Sequence, residues 1–418
     1  MNPLRRQKWL VVALLCFSGC VNYMDRNAVS AVFPLLRVEF GMSDMLLGAL
    51  GTVFLWSYSL SSPLAGWCGD RFPRKLMILL SLGIFSLVTF STGLMTTVAG
   101  LLALRVLLGV SEALYMPAAV SYISDWHSEK TRGLAVGFHQ ASLSVGGVAG
   151  ATLAGVIGEA HGWRPSFWLL GGIGLLLAAV FSIALKNIPK GASDNAATAT
   201  TAAAAAPAPR MSVAETIRLI LRTPTALCLI ANSFVVSMVS WIVAVWMPSM
   251  LHEKFNLSLG SAAFNGTIWP AVAGLAAMLL AGLLADLWKR RNPRARVLVQ
   301  ACGLALLVPA MLCIGAATSL APMAAGLVLY GIGQATWNSA NMPVLCEVTP
   351  PSARSTAYGL VNFTGTFGGG VSVLLFARVA RAAGTGTVFA ALAALMLVAL
   401  ALSLLVAARF HARDTLKT

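Results

Sequence analysis

The sequence predicts an all-α integral membrane protein, with twelve transmembrane helices in two pseudo-symmetric six-helix bundles. Three observations carry that expectation. Of the 418 residues, 58% are hydrophobic and only 10% are charged, where a soluble domain averages about 25% charged. The apolar residues form long runs, near the ~20 residues a helix needs to cross a bilayer. The second half of the chain also repeats patterns of the first.

Cutting the chain at its charged clusters gives the spans in order: 9–34, 45–66, 76–96, 98–122, 133–158, 165–187, 223–251, 260–285, 297–317, 322–346, 356–380 and 385–409. They are rich in Gly, Ala and Leu and lack the short alternating runs of barrel strands, so helices are expected. The opening MNPLRRQKW runs directly into a segment too long for a cleaved signal, which predicts an anchored first helix. Between spans six and seven, KGASDNAATATTAAAAAPAPR (190–210) reads as a flexible linker. After it, Ser212 and Glu215 stand at capping-box spacing before TIRLILR, predicting a short amphipathic helix on the cytoplasmic surface. The expected domains are a bundle over 1–189, a cytoplasmic linker over 190–222 and a bundle over 223–418.

The net charge of +15 reports topology. The N-terminal tail, the even-numbered loops and the C-terminus hold 22 of the 29 Lys and Arg, and the odd-numbered loops hold five. This is the positive-inside asymmetry, and it places both termini in the cytoplasm; the expected location is a bacterial inner membrane. It argues against a nucleic-acid partner; the expected surroundings are the lipid bilayer. Six of the seven cysteines lie in apolar segments, and neither they nor the five histidines have metal-ligand spacing. No nucleophile–base set appears in the spans, so no enzyme, cofactor or metal is expected.

The repeat is specific. GWCGDRFPRK begins at Gly66 and GLLADLWKRR at Gly282, so that Gly66 and Asp70 match Gly282 and Asp286 at an offset of 216. TRGLAVGFHQASLSVGG and ARSTAYGLVNFTGTFGG match at an offset of 222, aligning Gln140 with Asn362. Parallel repeats of this kind carry substrate sites near the bilayer midplane where the two halves meet.

Only four acids and bases lie deep in the spans: Asp25, Arg26, Arg105 and Glu112. A charge near a bilayer centre costs several kcal/mol unless it is paired or wet. Arg105, Gly109 and Glu112 are spaced i, i+4, i+7 and share one helix face, with Gly109 leaving room for a ligand or a neighbouring backbone. These four could be two salt bridges clamping spans one and four. Buried pairs stabilise poorly against apolar packing, however, and that favours a working role. Arginine binds carboxylates through two parallel hydrogen bonds; a carboxyl in a partly dry site holds its proton to higher pH. Asp25 and Glu112 are therefore the candidate proton sites, and Arg26 and Arg105 the candidate anion sites. Tyr23, Tyr58, Gln140, Trp241, Trp246, Asn338, Asn341, Asn362 and Thr364 could line a pocket around them. His139 reads as a packed polar residue.

The Gly66–Lys75 loop and its copy at Gly282–Arg291 resemble the loop motif of the major facilitator superfamily. NYMDR, RVLLGVSEALYMP and WIVAVWMPSML are similar to the anion:cation symporter branch, while NYMDR, GDRFPRK and SLVTF also resemble spinster-type transporters. The first resemblance implies a monomeric carrier coupling protons to uptake of a small organic anion such as a sugar acid, by alternating access. It assigns Asp25, Glu112, Arg26 and Arg105 the roles given above and puts Tyr23, Tyr58 and Asn362 against substrate. It implies that the loop motif (Gly66, Asp70, Arg71, Arg74 and Asp286) steadies one conformational state. The second resemblance implies an exporter of amphipathic lipids or drugs. The sequence departs from the patterns at Pro73, at Leu287, and at Leu143, where sugar-acid carriers can have glutamine.

Overall fold

The computed structural model describes residues 3–188, 212–350 and 353–415; the linker expected over 190–210 lies outside them. Among the described residues all regular structure is helical. In chain order the helices are α1 (Pro3–Ala31), α2 (Phe33–Phe40), α3 (Asp44–Arg71), α4 (Arg74–Thr92), α5 (Val98–Ala113), α6 (Tyr115–Trp126), α7 (Glu129–His161) and α8 (Arg164–Ala184). There follow α9 (Val213–Arg222), α10 (Pro224–Phe255), α11 (Leu259–Lys289), α12 (Ala295–Ala316), α13 (Leu320–Val348), α14 (Arg354–Ala383), α15 (Thr385–Arg409) and α16 (His411–Asp414).

Among the described residues ten helical stretches are long and apolar enough to cross a membrane, one of them formed by α5 and α6 together. Two others, α1 and α13, have 29 residues each but carry polar side chains in mid-length: Asn22, Asp25, Arg26 and Asn27, and Gln334, Asn338 and Asn341. Outward apolar residues such as Leu279, Leu283 and Leu284 of α11 are exposed, as residues facing lipid are.

Local chemistry sets the ends. Ser43 and Thr97 cap α3 and α5 through their hydroxyls, and Ser212 with Glu215 closes a capping box on α9. Gly162 and Gly384 follow α7 and α14 at φ of 81° and 83°, a backbone that favours glycine. Prolines set two of the breaks. Pro34 opens α2, and Pro117 lies in the first turn of α6, where its missing N–H cannot continue the ladder of α5. The 98–122 span is one candidate crossing, Val98–Trp126, built of two helices that meet at Leu114, whose N–H reaches the Ser111 carbonyl at 3.4 Å.

The chain divides into two compact units, Met1–Ala206 with Pro248–Phe264, and Pro207–Met247 with Asn265–Thr418. In the first, α7 lies on α1 through Gly146 and Gly150, where a Cβ would come within 2.2 Å of the Cys20 carbonyl oxygen and of Met24 Cα. Arg74 at the start of α4 pairs with Asp125 near the end of α6. At the opposite end Arg37 pairs with Asp44 and, at 2.6 Å, with Glu253, while Glu39 accepts hydrogen bonds from Trp163 Nε1 and Arg164.

In the second unit Gly368 and Gly369 of α14 pack against Phe234 and Trp241 of α10. Arg296 at the start of α12 pairs with Glu347 at 2.8 Å and with Asp286 at 2.7 Å, and Lys289 and His411 also reach Glu347. Asp414 accepts from Thr225 N–H and Oγ1–H, tying α16 to the start of α10. Ile220 seats α9 among Ala226, Leu229, Val344, Leu345 and Val348. Arg74 and Arg296, Asp125 and Glu347, and Gly162 and Gly384 are each 222 residues apart, so the sequence repeat returns as repeated contacts and turns within the units.

Candidate functional site

Close backbone packing assembles the site in the first unit. A Cβ on Gly109 would meet Ser57 Oγ at 2.1 Å, the Phe54 carbonyl oxygen at 2.5 Å and Tyr58 N at 2.9 Å. The room beside Gly109 is thus filled by a neighbouring backbone, that of α3. This brings Phe54 and Tyr58 beside Glu112, one turn further along α5. From α1, Arg26 completes the cluster. Its Nε and Nη2 both donate to Glu112 Oε2, at 3.1 and 2.6 Å. The guanidinium carbon stands 4.7 Å from the Tyr23 ring centre, 5.0 Å from Phe54 and 5.1 Å from Tyr58. Three ring faces and one carboxylate thus enclose a permanently charged group, each ring adding cation–π attraction in a desolvated setting.

Asp25 is fully buried and accepts a hydrogen bond from Thr89 Oγ1 of α4 on Oδ2 at 3.1 Å; its Oδ1 has no partner. Arg105, only 4% exposed, feels the field of Glu112 and Asp25 but makes no hydrogen bond and no ion pair within 4.0 Å among the described residues. The site therefore holds two acids and two bases, of which only Arg26 and Glu112 touch. The charges balance, as a buried cluster requires. Arg105 stands outside that contact, a buried cation in the field of both acids.

The other candidates fall differently. Gln140 of α7 is exposed. In the second unit, Asn338 of α13 and Asn362 of α14 are exposed and Asn341 is half-buried. Thr364 gives its hydroxyl to the Leu360 and Val361 carbonyls of its own helix. Trp241 lies on Gly369. Trp246 is a packing residue: it is buried against Phe376 and donates from Nε1 to the Val373 carbonyl at 3.0 Å. His139 is buried between Gly19 and Tyr115. Of the loop motif, Gly66, Asp70 and Arg71 belong to α3, with the Gly66 and Asp70 surroundings outside the described residues. Arg71 is exposed, Arg74 pairs with Asp125, and Asp286 pairs with Arg296.

Sequence reasoning missed Phe54, Thr89 and Gln334. Phe54 and Thr89 look like ordinary span residues, and nothing in their spacing marks them. Gln334 carried a signal: it precedes Asn338 and Asn341 at i, i+4, i+7, and in the structure it donates to Ser240 Oγ at 2.7 Å.

Comparison with known proteins follows the same lines. The Major Facilitator Superfamily model matches residues 15–373. The chain is 28% identical to Protein spinster of Drosophila melanogaster over 373 residues, which is 85% of this chain but 59% of that protein, so it spans less than two thirds of that relative. It is 26% identical to the Probable L-galactonate transporter of Escherichia coli (strain K12) over 360 residues, covering 83% of this chain and 78% of that one. Among solved structures, a bacterial homolog of the human lysosomal transporter Spinster, in an inward-facing and unoccupied conformation, superposes with a TM-score of 0.81 at 22% identity, covering 100% of this chain and 99% of that one. That likeness speaks for the fold. With its apolar helices, repeated loop motif and a model match across most of its length, the chain is a multi-pass membrane protein that belongs to the Major Facilitator Superfamily of transporters.

Proposed function

We propose that this protein is a proton-coupled carrier of a small organic carboxylate such as a sugar acid, working by alternating access as a monomer in a bacterial inner membrane. The reading takes the chain as twelve spans in two six-helix halves, 1–189 and 223–418, joined through 190–222 with both termini in the cytoplasm. One observation carries it: the counter-ion of the caged Arg26 guanidinium is Glu112, an acid that can titrate. While Glu112 is ionised, Arg26 is neutralised in place. When Glu112 takes a proton, Arg26 is left as a buried cation without a counter-charge, a state that costs several kcal/mol. A substrate carboxylate relieves that cost through two parallel hydrogen bonds. Proton and anion therefore favour each other's binding, and this is the thermodynamic content of symport.

Asp25 and Arg105 supply a second acid and base. Arg105, which makes no ion pair among the described residues, is the group that meets an incoming anion first. Tyr23 and Tyr58 shield the cage from water and face the body of the substrate. The amides of Gln140, Asn338, Asn341 and Asn362 suit the hydroxyl groups of a sugar acid. Thr364 and Trp241, each engaged with α14, contribute less. The loop-motif residues Gly66, Asp70, Arg71, Arg74 and Asp286 act on conformation and touch no substrate. Support for the substrate class comes from the Escherichia coli relative, whose name gives L-galactonate.

The test is uptake into proteoliposomes with an inward proton gradient, offering L-galactonate, glucuronate, succinate and benzoate. One carboxylate accumulates with wild type; Glu112→Gln loses gradient-driven accumulation and keeps part of the counterflow exchange. No accumulation of any carboxylate, or equal accumulation by the variant, would overturn the reading. A second reading, export of an amphipathic lipid or drug, is favoured by the similarity to Protein spinster. It predicts that lysolipids, and none of the carboxylates, raise the protein's melting temperature.

A further inference from the structure

On α1, Ser18, Asn22 and Asp25 are spaced i, i+4, i+7 and so share one face over about 10 Å. All three are buried, at 0%, 1% and 0% exposure. Each keeps a side-chain atom without a hydrogen-bond partner: Ser18 Oγ, Asn22 Nδ2 and Asp25 Oδ1. Asn22 is turned toward Glu112 and Ser18 toward Tyr115 as hydrogen-bonding neighbours, but neither contact reaches full hydrogen-bond geometry. Near the Ser18 end, the His139 ring lies so close to α1 that a Cβ on Gly19 would be 2.7 Å from its Cε1. Both of its nitrogens are unpartnered, and the Tyr115 ring stands edge-on to it at 5.8 Å. Five polar atoms short of full hydrogen-bond geometry thus belong to one buried strip that starts at Asp25 and runs toward the N-terminal end of α1. Through Asn22 the strip adjoins Glu112, the counter-ion of Arg26.

Buried polar groups in native proteins are satisfied by protein or by ordered water, and empty cavities are apolar. A strip this polar suits water. We propose that Ser18, Asn22 and His139 line a water-filled proton path that serves Asp25 separately from the substrate route. The proposal rests on the reading of Asp25 as a proton site. The step balances without any redox partner. The O–H bond at Asp25 Oδ1 breaks, its proton passes to a water oriented by Asn22 and Ser18, and a proton moves on through successive waters, with His139 accepting at one ring nitrogen and releasing from the other. The carboxylate left behind keeps its hydrogen bond from Thr89.

The experiment is radiolytic hydroxyl footprinting of the full chain in lipid nanodiscs, in which radicals formed from trapped waters label the side chains beside them. Tyr115 and His139 become labelled, while Phe167 and Phe181, equally buried, do not. Asn22→Leu lowers the labelling of Tyr115 and His139. In proteoliposomes the same substitution and the milder Ser18→Ala slow gradient-driven L-galactonate uptake about tenfold or more, with counterflow exchange retained and Asn22→Ser restoring part of the rate. Labelling of Tyr115 and His139 no greater than that of the two phenylalanines would overturn the path, as would gradient-driven uptake at the wild-type rate in both Asn22→Leu and Ser18→Ala. If wild type moves no carboxylate at all, the proposed function falls, and the labelling still decides the path.

Discussion

The Arg26–Glu112 contact makes a prediction that can be worked from its geometry. Glu112→Ala leaves a guanidinium that is only 10% exposed in its ring cage without a counter-ion. Arg26→Met leaves a fully buried carboxylate near Asp25, with the field of Arg105 and the Asn22 amide to offset it. Removing one partner of a buried pair costs about 3–5 kcal/mol. The two single variants are not equal, because Tyr23, Phe54 and Tyr58 still attract the orphaned Arg26, each by about 0.5–2 kcal/mol. Glu112→Ala is therefore the milder of the two. The double variant carries no orphaned charge, so its cost falls well short of the sum, with a coupling on the order of 3 kcal/mol. The assay is the apparent melting temperature in detergent at one fixed scan rate, since membrane proteins often unfold irreversibly and scan rate then matters. The double variant melts no lower than Arg26→Met alone. A double variant whose loss equals the sum of the two single losses would show that the groups act independently, and the symport argument built on their exchange would go with it.

Two further predictions concern the frame around that pair. Gly150→Val drives a side chain into Met24 Cα, which lies 2.2 Å from where its Cβ must sit; overpacking costs about 1–3 kcal/mol even without a backbone clash, so the variant melts lower than wild type, and an unchanged melting temperature would mean that α1 and α7 are not in close contact there. The hydrogen bond from Arg164 lowers the Glu39 carboxyl below the usual range, against a smaller opposing effect of burial and with help from Trp163; its contribution is present above the ordinary glutamate value of about 4.3 and is lost as pH falls through the folded value. The melting-temperature gap between wild type and Glu39→Gln should accordingly be constant between pH 6 and 8 and close below about pH 4, staying small throughout because the Glu39 side chain is 37% exposed.

What the sequence makes legible is set by how local each signal is. Helix type, span length and the capping box at Ser212 depend on neighbours within a turn or two, and they can be read directly. Four charges stand out because lipid makes any ionised residue expensive, and the spacing of Arg105 and Glu112 fixes their shared face. Which base meets which acid is another matter. Arg26 and Glu112 are 86 residues apart, and their contact depends on how α1, α3 and α5 are rotated against one another. That rotation is governed by glycines whose partners lie far along the chain: Gly109 against Phe54 and Tyr58, Gly150 against Met24. Phe54 therefore carries no mark in the sequence, although at 5.0 Å it stands between Tyr23 and Tyr58 in its distance from the cation. Thr364 shows the converse. A hydroxyl in a span is a fair candidate ligand, yet threonine can satisfy itself on the carbonyl one turn back, and here it does. The same reasoning gives the orphaned atoms of Ser18 and Asn22 their weight. Ser18 had the option of bonding its own helix, as Thr364 does, and its fully buried hydroxyl is instead turned toward Tyr115, short of full hydrogen-bond geometry. A group that forgoes the cheap local bond while buried needs a partner that is small, polar and mobile, and water beside a titrating acid fits that description.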